Sequence, residues 1–267
     1  MASLVPLFSA IYFYTVVLVG AELSRRLLDL TLSKKSALYR FLIELIGTTQ
    51  VLSCVIEHGI IKEYYGLTAF FFTLLIVGFL FGVLNRKASC APLVPIEKYI
   101  YGDRSLGHVI SILVAEVLGA MLAISLTNKL WALSAPYSDP HLTFMSETAC
   151  QVTHYRNVPI VLAFETIGAF ALRFLLSQLD ENIIKYMGPL FVASIFSFAT
   201  SLIGDSAMDP LVATTLWYGC AGITSQYFLL LYYICPTVGW LLGAYLDRKI
   251  KSPSQKTKLK AKLKKTN

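Results

Sequence analysis

The chain has 267 residues, 56% of them hydrophobic and 15% charged, with a mean hydropathy of +0.63. That is too apolar to leave a normal polar surface on a soluble domain, so lipid is the expected solvent. A net charge of +7 raises nucleic acid as a partner, but nine of the 23 basic residues lie between Arg248 and Lys265, outside every apolar stretch. They read as a solvated tail beside anionic lipid, and no nucleic-acid partner is expected.

In chain order, stretches long enough to cross about 30 Å of hydrocarbon as helices run over residues 4–22, 38–58, 67–84, 107–126, 158–178, 186–204 and 226–246. The first is a poor cleaved leader, with no basic flank before it and no clear small-residue cleavage site. It reads as an extra span or an interfacial helix, followed by Arg25 and Arg26 and a polar stretch to Lys35. The other six divide into three plus three, and an odd number of spans per unit forces the second unit to enter the membrane inverted. If segment 38–58 starts in the cytoplasm, almost all the basic residues fall inside, and Lys62, Lys129 and Arg156 fall outside. The charge bias therefore predicts a cytoplasmic C-terminus.

The two halves also share landmarks. Ile43-Glu44-Leu45-Ile46-Gly47 recurs as Phe164-Glu165-Thr166-Ile167-Gly168, Pro92 as Pro210, and Val117-Leu118-Gly119 as Thr237-Val238-Gly239. A carboxylate inside a membrane-length apolar segment is tolerated where it serves the interior, which points to a channel or transporter. Two connections are special, the one after Leu84 and the one after Ile203. Each holds an x-Pro-Leu triplet followed by a run too short to span, and Asp209-Pro210 is a helix-start signal. Both read as re-entrant half-helices whose positive N-terminal ends meet near the midplane, a geometry that repels cations.

These features resemble the aquaporin, or major intrinsic protein, family across residues 38 to 247. The matching positions are Glu44 and Glu165, the boxes Ala91-Pro92-Leu93 and Asp209-Pro210-Leu211 in place of Asn-Pro-Ala, Glu116 within an Ala-Gln-x-x-Gly-Ala-like run, and Cys235-Pro236-Thr237-Val238-Gly239. The resemblance implies an all-α polytopic fold of six transmembrane helices and two half-helices in an inverted repeat, with an extra N-terminal apolar segment. It divides the chain into residues 1–37 (apolar segment and basic linker), 38–126 (first repeat), 127–157 (connecting loop), 158–247 (second repeat) and 248–267 (Lys-rich tail). It further implies a homotetramer with one pore per subunit, and Glu44, Glu165 and Glu116 as pore scaffold.

Degenerate boxes, the extra N-terminal segment and Cys220, eleven positions after Asp209, are similar to the divergent superaquaporin branch. At the constriction the family's arginine and histidine would fall on Val212 and near Ser197, giving a wider and less polar filter. The activity implied is passive passage of water and small neutral solutes such as glycerol or hydrogen peroxide, without cofactor or metal. Ala91 can donate no side-chain hydrogen bond and an ionised Asp209 can only accept, so two other readings stand: a non-conducting endoplasmic reticulum protein that kept the fold, and a proton- or ion-coupled transporter using the buried acids. No catalytic arrangement is convincing.

Three remaining features have plain expectations. Five cysteines, odd in number and without CxxC spacing, suggest neither a disulfide framework nor zinc. His58, His108, His141 and His154 lie near segment ends or in loops and read as ordinary surface histidines. The final Lys264-Lys265-Thr266-Asn267 matches the dilysine retrieval pattern of endoplasmic reticulum membrane proteins, read on the cytosolic side.

Overall fold

Backbone polar groups in a bilayer need partners within their own segment, so apolar stretches of membrane length fold as helices. The computed structural model describes residues 4–146, 150–180 and 182–263, and six of its helices are long and apolar enough to cross a membrane. In chain order the helices are α1 (Val5–Thr31), α2 (Ala37–Leu84), a short α3 (Leu93–Ile100), α4 (Leu106–Ser134), a short α5 (Asp139–Ser146), α6 (Val158–Ser177), α7 (Ile184–Ile203) and a short α8 (Pro210–Trp217). A last rod joins α9 (Ser225–Leu229), a π-helical turn (Leu230–Ile234) and α10 (Cys235–Leu263). Lys264 and Lys265 lie outside the described residues.

The two expected segments 38–58 and 67–84 are one helical element. At 48 residues α2 would be about 72 Å long if straight, more than twice the hydrocarbon thickness. Gly66 resolves this with φ 80° and ψ −179°, a conformation open to glycine. The chain doubles back there: Asn85, just past the end of α2, has its Oδ1 3.3 Å from where a Cβ on Gly47 would stand. The limbs 37–65 and 67–84 thus form an antiparallel pair.

The first apolar segment reaches further than expected. Instead of giving way to a polar stretch at Arg25 and Arg26, α1 stays helical to Thr31. Its late acids have partners: Glu22 and Asp29 both bind Arg86, and Tyr39 donates to Asp29 Oδ1 at 2.6 Å, whereas the buried Arg25 guanidinium has no hydrogen-bond partner among the described residues. At the opposite end the Leu7 N–H donates to the Tyr65 hydroxyl at 2.9 Å. So α1 runs antiparallel to the first limb along its whole length, burying Ala10, Phe13, Tyr14 and Val17 against Ile60, Ile61 and Val77.

The two halves of the chain pack by the same rule. A Cβ on Gly119 of α4 would stand 3.0 Å from the Leu45 carbonyl oxygen, and one on Gly239 of α10 would overlap the Thr166 carbonyl. Leu45 and Thr166 directly follow Glu44 and Glu165. In both halves a glycine lets the third helix approach the first at the level of the buried acid. Each short helix then inserts into the other half: α3 packs on α4 and α10, and α8 packs on α2 and α4. Outward faces carry exposed Phe72, Ile76, Val117, Met121 and Phe198, as lipid-facing surfaces do.

Candidate functional site

The connections before α3 and α8 form a matched pair of turns. Glu44 is 4% exposed and accepts from the Ser89 N–H (3.0 Å), the Ser89 hydroxyl (2.8 Å) and the Cys90 N–H (2.5 Å). Glu165 is fully buried and accepts from the Ala207 N–H (3.1 Å) and the Met208 N–H (2.7 Å). Ser89 and Cys90 precede Ala91 as Ala207 and Met208 precede Asp209, so each acid binds the same two backbone amides before its box. Buried amides without partners would cost about 1–3 kcal/mol each. The carboxylates hold the turns by supplying acceptors that the hydrocarbon of a bilayer does not.

Cys90 and Met208 share a further peculiarity, backbones in the left-handed region at φ 53° and φ 50°. Non-glycine residues seldom rest there, at a cost of order 1–3 kcal/mol each. Their side chains lie over two equivalent glycines: a Cβ on Gly47 would meet Cys90 Sγ at 2.8 Å, and one on Gly168 would meet Met208 Sδ at 2.5 Å. The glycine three residues after each acid therefore makes room for the turn that the acid holds. Sequence reasoning placed these glycines in the repeat but missed Ser89, Cys90, Ala207 and Met208, whose residue types differ between copies.

The tips themselves diverge. Asp209 Oδ1 accepts from the Leu211 and Val212 N–H groups at 2.8 and 3.0 Å, capping α8 with Pro210 as its first residue. In α3 Pro92 is itself the capping residue and no side chain caps the helix. The expected proline-first start thus holds for α8 and slips by one residue in α3. Glu116, 1% exposed, reaches the first tip with one oxygen 3.5 Å from the Ser89 hydroxyl, while its other oxygen has no hydrogen-bond partner among the described residues. Leu93 is 1% exposed. Leu211 packs with Leu52, Ala120 and Ala123, with Val212 against them. Ser197 on α7 is buried and its hydroxyl has no hydrogen-bond partner among the described residues. The surroundings of Leu211 and Val212 are apolar.

Two ion pairs fix the outer ends of the inserted pieces. Glu97 near the end of α3 accepts a bidentate pair from Arg173 of α6, at 2.6 and 2.7 Å, and a third bond from Trp240 of α10 at 2.8 Å. Such planar two-point pairing is among the stronger charge-assisted contacts. Lys62 at the end of the first limb binds Asp205, before α8, at 3.0 Å. Each pair crosses from one half to the other.

Two expectations about side chains are overturned. Cys220 is bonded to Cys150 in a disulfide closing 70 residues, so the cysteines do include a structural pair. Residues 150–155 lie between the two flanks of α8, with Val152 N–H donating to the Ala221 carbonyl and Tyr155 N–H to the Ile203 carbonyl, and this apposition brings the cysteines together. The histidines are not all on the surface. His58 is 3% exposed and bonded to Tyr14 at 2.6 Å, and His141 is fully buried between Ser138 and Glu57. His58 is covered by α1 through Tyr14, and His141 belongs to α5, which folds onto Glu57 of the first limb. His154 is half-buried against Tyr232, and burial lowers its pKa despite the opposing pull of Asp205. No cluster of three metal-ligating side chains occurs among the described residues.

No protein-family profile matches the chain. It is similar to a putative aquaporin-10 of Caenorhabditis elegans, at 35% identity over 94% of this chain and 90% of the relative. It is also similar to aquaporin-11 of Milnesium tardigradum, at 23% identity over 82% of this chain and 78% of the relative. A third relative is the putative aquaporin-12B of Homo sapiens, at 27% identity over 66% of this chain and 60% of the relative. With likeness to such a relative over nearly its whole length, the chain is a divergent member of the aquaporin family.

Proposed function

We propose that the chain is a passive channel for water and small neutral solutes such as glycerol or hydrogen peroxide, one pore per subunit of a homotetramer. The observation that carries this reading is the matched pair of turns, with Glu44 and Glu165 each binding the two amides before a box. Such fixed turns aim both short helices at one level, where their N-terminal dipoles disfavour cations while neutral molecules pass. Glu44, Glu165 and Glu116 are then scaffold, and Val212 with Ser197 sets a wide, apolar constriction.

A second reading, a non-conducting protein on the same scaffold, is favoured by the apolar packing of Leu52, Leu211 and Val212. Apolar constrictions can close a path by expelling water. Light-scattering shrinkage of proteoliposomes under an osmotic gradient, repeated with glycerol and with an internal pH dye, separates the two. Shrinkage well above that of empty liposomes is expected. A rate equal to that of empty liposomes would favour the non-conducting reading, and solute uptake driven by a proton gradient would favour a coupled transporter.

We place the chain in an internal membrane, the endoplasmic reticulum, with its C-terminus in the cytoplasm and within the superaquaporin branch. The disulfide Cys150–Cys220 supports this sidedness, because disulfides persist in oxidising compartments and it lies at the end opposite Arg86 and the basic tail. A C-terminal epitope reached by antibody after selective permeabilisation of the plasma membrane checks it.

A further inference from the structure

A cavity of about 230 Å³ opens at the Arg86 end of the molecule, where α1 passes into α2 and where α3 and α4 meet. Its volume is below the roughly 300–1,000 Å³ of sites for drug-sized ligands. Its lining is strongly basic, with Lys34, Arg40, Arg86, Lys87, Lys98 and Arg104 all contributing. Two of these are already neutralised or held: Arg86 by Glu22 and Asp29, which keep its guanidinium all the more firmly protonated, and Arg40 by the Lys35 carbonyl. Lys34 has only a long contact to Asp29 at 3.6 Å. Lys87, Lys98 and Arg104 have no ion pair or side-chain hydrogen bond among the described residues.

The three free cations are brought together by the backbone. Asp103 and Arg104 N–H groups both donate to the Lys98 carbonyl, folding Arg104 back beside Lys98. Lys87 is held in a left-handed conformation at φ 69°, between the anchored Arg86 and Ala88, whose carbonyl accepts from the Asn85 side chain at 2.6 Å. Among the described residues Glu44 is the only acid in the lining, and its two oxygens accept from Ser89 and Cys90. Set against six basic side chains, this one acid leaves the wall with cations in excess, and an anion between the free ones relieves their mutual repulsion. The Ser89 hydroxyl and His108 add polar groups to the same wall.

We infer that this cavity is a binding site for a phosphate-bearing anion, held by Lys87, Lys98 and Arg104. Arg104 supplies the forked donor that suits phosphate, and the lysines supply point charges. The shared chemistry has two sources, a free phosphate or a phosphorylated lipid headgroup. Helix ends place the cavity at headgroup depth, and exposed Leu38, Leu106 and Ile110 flank this end of the molecule. An occupant sits against Ser89, directly before the first box.

The test is binding, which does not depend on conduction. Full-length protein in detergent is titrated calorimetrically with inorganic phosphate, and in phosphatidylcholine nanodiscs it is analysed by native mass spectrometry with and without added phosphatidylinositol phosphate. The double variant Lys98→Ala/Arg104→Ala removes two exposed cations and leaves the backbone bonds to the Lys98 carbonyl in place. Lys35→Ala/Lys249→Ala makes the same charge change outside the cavity. Saturable binding weakened by about tenfold or more in the cavity variant but little changed in the control is expected, since lost bonds to a charged group carry effects of that size. Binding of inorganic phosphate identifies the free anion as source, and binding confined to the phosphoinositide identifies the headgroup. Absence of binding to both probes, or equal loss in the two double variants, would overturn the site.

Discussion

The two box turns of this chain are built alike below and differently at the tip. Below, Glu44 and Glu165 each hold two successive amides, and Gly47 and Gly168 clear the space for left-handed Cys90 and Met208. At the tip the second copy is capped by Asp209, while the first has Ala91 and borrows Glu116 from α4, at a position where the second copy carries Pro236. Each tip thus has two acids, drawn from different places. The contrast separates what the fold requires, a held turn, from what is free to vary, the chemistry presented at the tip.

The largest effect should come from the shared part. Glu165→Ala leaves the Ala207 and Met208 amides buried without partners, and Glu44→Ala does the same to Ser89 and Cys90. At about 1–3 kcal/mol per orphaned donor, both variants should lose several kcal/mol in thermal unfolding. A large loss in one copy and none in the other would break the equivalence. Next, Cys150→Ser should cost about 2–4 kcal/mol, and only at the second turn, because residues 150–155 are strapped against its flanks. A shift on non-reducing gels for the native chain alone would mark the bond.

Smaller effects probe the tips. Asp209→Ala removes the side-chain cap of α8 and should cost about 1 kcal/mol, whereas Ala91→Gly in the uncapped first copy should cost less. Asp209→Asn should lower any proton leak read by an internal pH dye; an unchanged leak would show that the carboxylate does not face the path. The smallest effect concerns pH. His154 lies against the second connection, with its pKa lowered from 6.5 by burial, so it is neutral in the folded state where the unfolded chain is already binding protons. Its contribution is complete above about pH 6.5 and declines as pH falls through the depressed value. A melting-temperature profile should therefore flatten below that pH in His154→Phe relative to the native chain.

Much of the scaffold could be seen in the amino-acid sequence because residue types recur where geometry is unforgiving. A buried acid, a proline before a short helix and a glycine at a close helix crossing have few substitutes, so Glu44 and Glu165, Pro92 and Pro210, and Gly119 and Gly239 stand out at nearly constant spacing. The amide donors do not, since any residue offers an N–H and Cys90 and Met208 share only a backbone conformation. Cys150 and Cys220 were equally opaque, being brought together by a strap that crosses two connections. The buried His141 depends on α5 folding back over Glu57, a contact between residues 84 positions apart. The extent of α1 was hidden because charges such as Asp29 look like a solvated flank until Arg86 is known to pair with Glu22 and Asp29.

The equivalence of the two turns is tested most directly by amide hydrogen exchange, read residue by residue at Ser89, Cys90, Ala207 and Met208 with the protein in lipid nanodiscs. All four amides donate to buried carboxylates and should exchange slowly, to a similar degree in both copies. Exchange at the rate of an open loop in either pair would contradict the account.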